Sequence, residues 1–149
     1  MSTKSITSTL NSLIETCRDG EEGFRVAAGD VKNTELKTLF TEYSQQRARF
    51  IPELQSIVDG LGKDAEETSS VAGALHRGWI NIKSVIAGGD EHAILAECER
   101  GEDHAVDAYQ EALADQSLPA QVREVVQRQY VAVQAAHDRV RDLRDAMKS

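Results

Sequence analysis

The sequence predicts an all-α chain built on four long amphipathic helices. Apolar residues recur at spacings of three and four along four extended stretches, the repeat that lines one face of an α-helix, while the alternation of a half-buried strand is hard to find. Punctuation is sparse: the 149 residues hold two prolines, and aromatic residues make up 5%. This length fits one domain, 1–149, and suffices for a proper core.

The first helix is predicted over about residues 5–29. Its stripe is Leu10, Leu13, Ile14, Cys17, Phe24 and Ala28, continued by Val31. A short turn makes the next helix antiparallel to it, with Asn33 as N-cap and a span of about 33–60. The second stripe is Leu36, Leu39, Phe40, Tyr43, Phe50, Leu54, Ile57 and Leu61. Pro52 falls opposite that stripe. It removes one backbone bond and crowds the carbonyl of Ala48, and because the stripe runs past it a local kink is expected, not a helix end.

A polar segment, Gly62 to Ser70, leads into a shorter helix over about 71–87, with Leu75, Trp79, Ile82 and Ile86 on one face. Gly88-Gly89-Asp90 stops it and caps the third long helix, about 90–114, which turns Ile94, Cys98, Ala105, Tyr109 and Ala112 inward. Ser117-Leu118-Pro119 opens the fourth, about 118–147, since proline is tolerated in a first helical turn. Its inward residues are Val122, Val125, Val126, Val133, Ala136, Val140, Leu143 and Met147. A connection of about thirty residues can return the chain along the bundle at 1.5 Å per helical residue. The second and third helices then run parallel. The predicted architecture is a ferritin-like four-helix bundle with one long crossover carrying an extra short helix.

Composition excludes several classes of function. The net charge is −8 with both signs interspersed, so no basic face is offered to nucleic acid. The longest apolar stretches run only a few residues, too short to cross a bilayer. No apolar segment follows Met1-Ser2-Thr3-Lys4-Ser5, so a signal peptide is not expected and the cytoplasm is the expected location. Cys17 and Cys98 lie on apolar stripes, without a CxxC pair, and read as small buried core residues.

The informative residues are the polar ones that land on stripes: Glu21, Arg47, Glu102, Gln129 and, on a flank, His137. A buried charge is costly unless paired. One reading is therefore a buried polar network in which Arg47 bridges Glu21 and Glu102, fixing helix register. A second is a metal site. Di-iron bundles need a Glu from each of two helices and a Glu-x-x-His from each of the others. No Glu in this chain has His three residues on; the nearest approach is Gln134-x-x-His137. Glu21, Glu102 and His137 remain, enough for one weakly held iron, manganese or zinc ion. A third is that helix rotation places some of these groups in solvent. His76 sits beside the crossover stripe, His92 opens the third helix, and His104 faces solvent; none pairs with Ser or Cys as a nucleophile would require.

Three stretches carry a resemblance: Asp19-Gly-Glu-Glu-Gly-Phe24, then Ser70-Val-Ala-Gly-Ala-Leu-His-Arg-Gly-Trp79, and Glu99-Arg-Gly-Glu-Asp-His-Ala105 followed by Tyr109. Together they resemble a bacterial family of ferritin-like four-helix-bundle proteins classed as a domain of unknown function. The resemblance implies a ferritin-like fold and a cytoplasmic bacterial protein, and brings no catalytic residues with it. The expected function is non-catalytic, through self-association or a protein partner, with a stress response as one setting and no cofactor. Trp79, Leu75 and Gly78 are the expected homodimer interface, because glycines allow close approach and tryptophan anchors interfaces. The alternative is a metal-binding or redox protein using Glu21, Glu102 and His137.

Overall fold

The structure is a computed structural model that describes residues 3–61 and 79–147. The regular elements of these residues are all helices: α1 (Thr3–Asp30), α2 (Thr34–Gly60), α3 (Ile82–Gly88), α4 (Glu91–Ala114) and α5 (Ala120–Ala146). None is long and apolar enough to cross a membrane.

Local chemistry sets the helix ends. Asn33 is extended, and its side-chain oxygen accepts the backbone N–H groups of Glu35 and Leu36, two of the donors a helix start leaves unpaired. From the next turn the Lys37 ammonium donates to the carbonyls of Ala28 and Gly29 at 2.9 and 3.3 Å, closing the end of α1. Gly89 adopts φ 75°, a left-handed conformation that suits glycine, and Asp90 then caps α4 through the N–H groups of His92 and Ala93. Pro52 lies exposed on α2, which runs through it. Pro119 flanks α5 at the cap position, whereas the sequence placed it inside the first turn. The Arg123 guanidinium reaches back from α5 to the carbonyls of Leu113 and Asp115, so it satisfies the end of α4.

Two apolar clusters fix the helix directions. One joins Leu10, Leu13 and Ile14 from the first half of α1 to Leu54 and Val58 late in α2, Tyr109 late in α4 and Val126 early in α5. The other joins Phe24 late in α1 to Leu36 and Phe40 early in α2, Ile94 and Leu95 early in α4, and Val140 late in α5. Hence α1 and α5 run one way and α2 and α4 the other. The end of α2 and the start of α4 therefore lie at opposite ends of the helices. Around the barrel of helices α1 packs on α2 and α4, α4 on α5, and α5 only thinly on α2.

The extra helix is shorter in its described part than the expected 71–87. It begins at Ile82, after a turn in which the Ile82 N–H donates to the Trp79 carbonyl at 3.1 Å. Leu75 and Gly78 lie outside the described residues. Trp79 is placed differently from its expected interface role: it is 1% exposed and belongs to the second core cluster. Its indole edge meets Phe24, with ring centroids 4.8 Å apart. It fits only because Gly23 on α1 and Gly101 on α4 lack side chains. A Cβ on either would stand 2.2 or 2.1 Å from indole carbons, far inside contact distance.

Candidate functional site

Midway along the bundle the interior turns polar. Arg47 of α2 and Glu102 of α4 meet in a two-pronged pair, both N–H···O contacts 2.6 Å, with side chains 1% and 0% exposed. Charge-assisted bidentate contacts of this kind are among the strongest hydrogen bonds proteins make. Gly20 on α1 leaves room for the arginine: a Cβ there would lie 3.1 Å from its Nη1. The Gln46 side chain accepts from the remaining Nε at 3.1 Å, and the guanidinium carbon stands 5.7 Å from the centre of the Phe24 ring. Burial alone would weaken the guanidinium as a base. The charge and hydrogen bonds of Glu102 outweigh that and hold its pKa above the ordinary value.

Beside this pair runs a neutral chain across three helices. Tyr109 of α4 donates to the Gln129 side-chain oxygen of α5 at 2.7 Å, and its hydroxyl lies 3.2 Å from the Cys17 thiol of α1. With the tyrosine proton committed to Gln129, the thiol is the donor of that last contact. The Gln129 amide donates onward to Glu53 of α2 at 2.8 Å, and Arg128 closes on the same carboxylate at 3.0 Å. Burial pushes the Cys17 thiol up to about 11, against the pull of the nearby Arg47 charge. The Tyr109 hydroxyl is likewise held well above its usual range by burial. Neither group is therefore an activated nucleophile or base at neutral pH.

Of the polar residues singled out from the sequence, the structure joins Arg47 to Glu102 and brings Gln129 beside them. It leaves the other two outside. Glu21 is half-buried and does not bridge to Arg47; its backbone carbonyl accepts from the Ser44 hydroxyl at 2.9 Å. Removal from water, then the neighbouring Glu22 charge, raises its carboxyl pKa. His137 faces the other side of the α4–α5 seam. The trio Glu21, Glu102 and His137 therefore does not converge. Glu102, the most deeply buried carboxylate among the described residues, is already held on both oxygens by an arginine and is not free to bind a metal.

A second polar cluster was missed from the sequence. His137 Nε2 lies 2.7 Å from Asp103 Oδ1 and 4.0 Å from Glu99 Oε2, both on α4, while Nδ1 lies 3.0 Å from Asp138 Oδ1. Arg144 holds the other oxygen of Glu99. Partial burial draws the imidazole pKa down, but the hydrogen bonds and charges of Asp138 and Asp103 more than reverse this and leave it raised. The available signal was Glu99 and Asp103 one helical turn apart. A search for Glu-x-x-His within one helix passes over it, because the histidine comes from the neighbouring helix. Glu97 is also buried unexpectedly, at 2% exposure; it accepts the backbone N–H of Asn81 at 3.0 Å and so ties the start of α3 to α4.

A family model described as a domain of unknown function, DUF2383, matches residues 5–115. No curated protein matches the chain.

Proposed function

We propose, for a chain that belongs to the DUF2383 family, a non-catalytic role: a cytoplasmic bacterial bundle protein of ferritin-like architecture that works by self-association. The opposed helix directions and the return of the chain between α2 and α4 support the ferritin-like assignment. The observation that carries the non-catalytic reading is the Arg47–Glu102 pair. Its cation and its anion satisfy each other at 2.6 Å, in the middle of the bundle, where a ferritin-like enzyme would need free carboxylates. Around it Cys17, Tyr109, Gln129 and Glu53 hydrogen-bond one another, so the interior chemistry is spent on holding four helices in register.

Activity then resides on the surface. The loosest seam of the bundle, between the start of α2 and the end of α5, opens as a groove of about 490 Å³ lined by Leu36, Leu39, Leu143 and Met147. Glu35 and Glu42 stand on one wall and Arg139 on the other. A second copy related by a two-fold axis presents the same charges in reverse, so its Arg139 meets these acidic residues while the leucines pack together. Sedimentation velocity at tens of micromolar tests this. A dimer is expected, reduced to monomer by Leu143→Glu with helix content unchanged. A wild-type monomer at that concentration would overturn the reading.

A further inference from the structure

We propose that Glu99 and Asp103 of α4 and His137 of α5 form a binding site for one divalent transition metal, with Zn2+ the ion their donors suit best. The Glu99 oxygen, the Asp103 oxygen and the His137 ring nitrogen lie within 4.8 Å of one another. Glu99 and Asp103 are four residues apart, so one face of α4 carries both toward α5. Three ligands from two packed helices match the protein's share of an open zinc site, whose fourth position goes to water.

The imidazole is aimed by groups behind it. Asp138 Oδ1 lies 3.0 Å from Nδ1, and the same oxygen accepts from the Gln134 amide at 3.0 Å. Gln134 in turn accepts from the Tyr130 hydroxyl at 3.1 Å. A carboxylate on Nδ1 keeps a proton there, so an entering ion displaces the Nε2 proton that faces Asp103 and takes the lone pair it leaves. Metal-binding histidines almost always donate their other ring N–H to a carboxylate, a carbonyl or a water, and here the carboxylate comes with its own support. Arg144 occupies Glu99 Oε1 and leaves Oε2 turned toward the imidazole.

Exposure fits a site that can take up an ion. The side chains of His137 and Glu99 are 12% and 13% exposed, so two ligands are fixed by packing, while Asp103 at 58% can move. That mobility is needed. Tetrahedral zinc holds its ligand atoms about 3.3 Å apart, from bonds of about 2.0–2.1 Å, so the 2.7 Å contact between His137 and Asp103 must open slightly. Two carboxylates neutralise the dication, and the imidazole selects zinc over magnesium or calcium, which prefer oxygen alone. This site shares no side chain with the Arg47–Glu102 pair and stands whether or not the protein dimerises.

The experiment is calorimetric titration of the chelator-treated full chain with Zn2+, with Co2+ as an optical probe of coordination. One equivalent is expected to bind. Asp103→Asn, at an exposed position, and His137→Gln should each weaken binding by at least about 100-fold, and Asp138→Asn by about 10-fold. Glu124→Gln, at an exposed position thirteen residues and so roughly 20 Å before His137 along α5, should change nothing. Absence of binding at about millimolar Zn2+, or binding that survives either Asp103→Asn or His137→Gln, overturns the site.

Discussion

Replacing Arg47 by methionine probes the interior most directly. The methionine fills much of the arginine's volume and keeps the stem's apolar contacts with α1, but it leaves Glu102 facing no cation at 0% exposure. Removing one member of a buried pair costs about 3–5 kcal/mol, because the surviving charge is neither solvated nor paired. For a urea dependence of about 2 kcal/mol per molar, that loss lowers the unfolding midpoint by about 1.5–2.5 M. The Trp79 indole, 1% exposed, reports the transition by fluorescence, and helical circular dichroism provides the second probe. The double variant Arg47→Met with Glu102→Met completes the cycle. Replacing both partners by apolar residues removes the desolvation cost along with the attraction, so the double variant should recover most of the lost stability. Two results would refute the reasoning. A single-variant loss below about 1 kcal/mol would give the pair the strength of a solvated surface bridge. A double variant no more stable than Arg47→Met would place the cost in packing instead of in the stranded carboxylate.

Three further outcomes are expected. Gly101→Ala drives a methyl to 2.1 Å from the rigid Trp79 ring and should destabilise by about 1–3 kcal/mol or more, while Gly60→Ala, with nothing within 4 Å, should be within about 1 kcal/mol of wild type; equal effects would mean that the indole is not clamped. With its thiol pushed up to about 11 and its side chain buried, Cys17 should resist a thiol reagent at pH 8, where about one part in a thousand is thiolate, and both cysteines should react promptly in urea; rapid labelling of the folded protein would contradict this. Under chelator, His137 has a raised folded-state pKa while facing Glu99 and Asp103 from α4 and Asp138 from its own helix, with Arg144 and Arg141 paired to those carboxylates. Its stabilising contribution is therefore complete below the ordinary histidine value of about 6.5 and disappears as pH rises through the raised value, so the stability advantage of wild type over His137→Gln should shrink from pH 6 to pH 9; an advantage flat with pH would refute it.

The sequence by itself determined the helices. Leu10, Leu13, Ile14, Cys17 and Phe24 are buried as their spacing requires, as are Ile94, Cys98, Ala105, Tyr109 and Ala112 on α4. Asn33, Gly89 and Asp90 end or begin elements where their chemistry says they should, since capping is decided by residues within a turn of each other.

Only the tertiary structure decided which polar groups meet. Periodicity gives the face a residue occupies on its own helix, but a hydrogen bond also needs the height and rotation of the opposite helix to within about an ångström. Arg47 could have paired with Glu21 or Glu102 on angle alone. The side-chain-free surface at Gly20 and the course of α4 hand it to Glu102 and leave Glu21 half in water. His137 on the flank of α5 gains Asp103 and Glu99 only through the register in which α5 lies on α4. Trp79 shows the same limit from the apolar side: its size suggested an interface anchor, and what buries it is the facing of Gly23 and Gly101, some eighty residues apart in the chain, across one gap. Local sequence sets the helices and their stripes; the offsets between helices, set by how all of the core packs at once, decide what those stripes bring together.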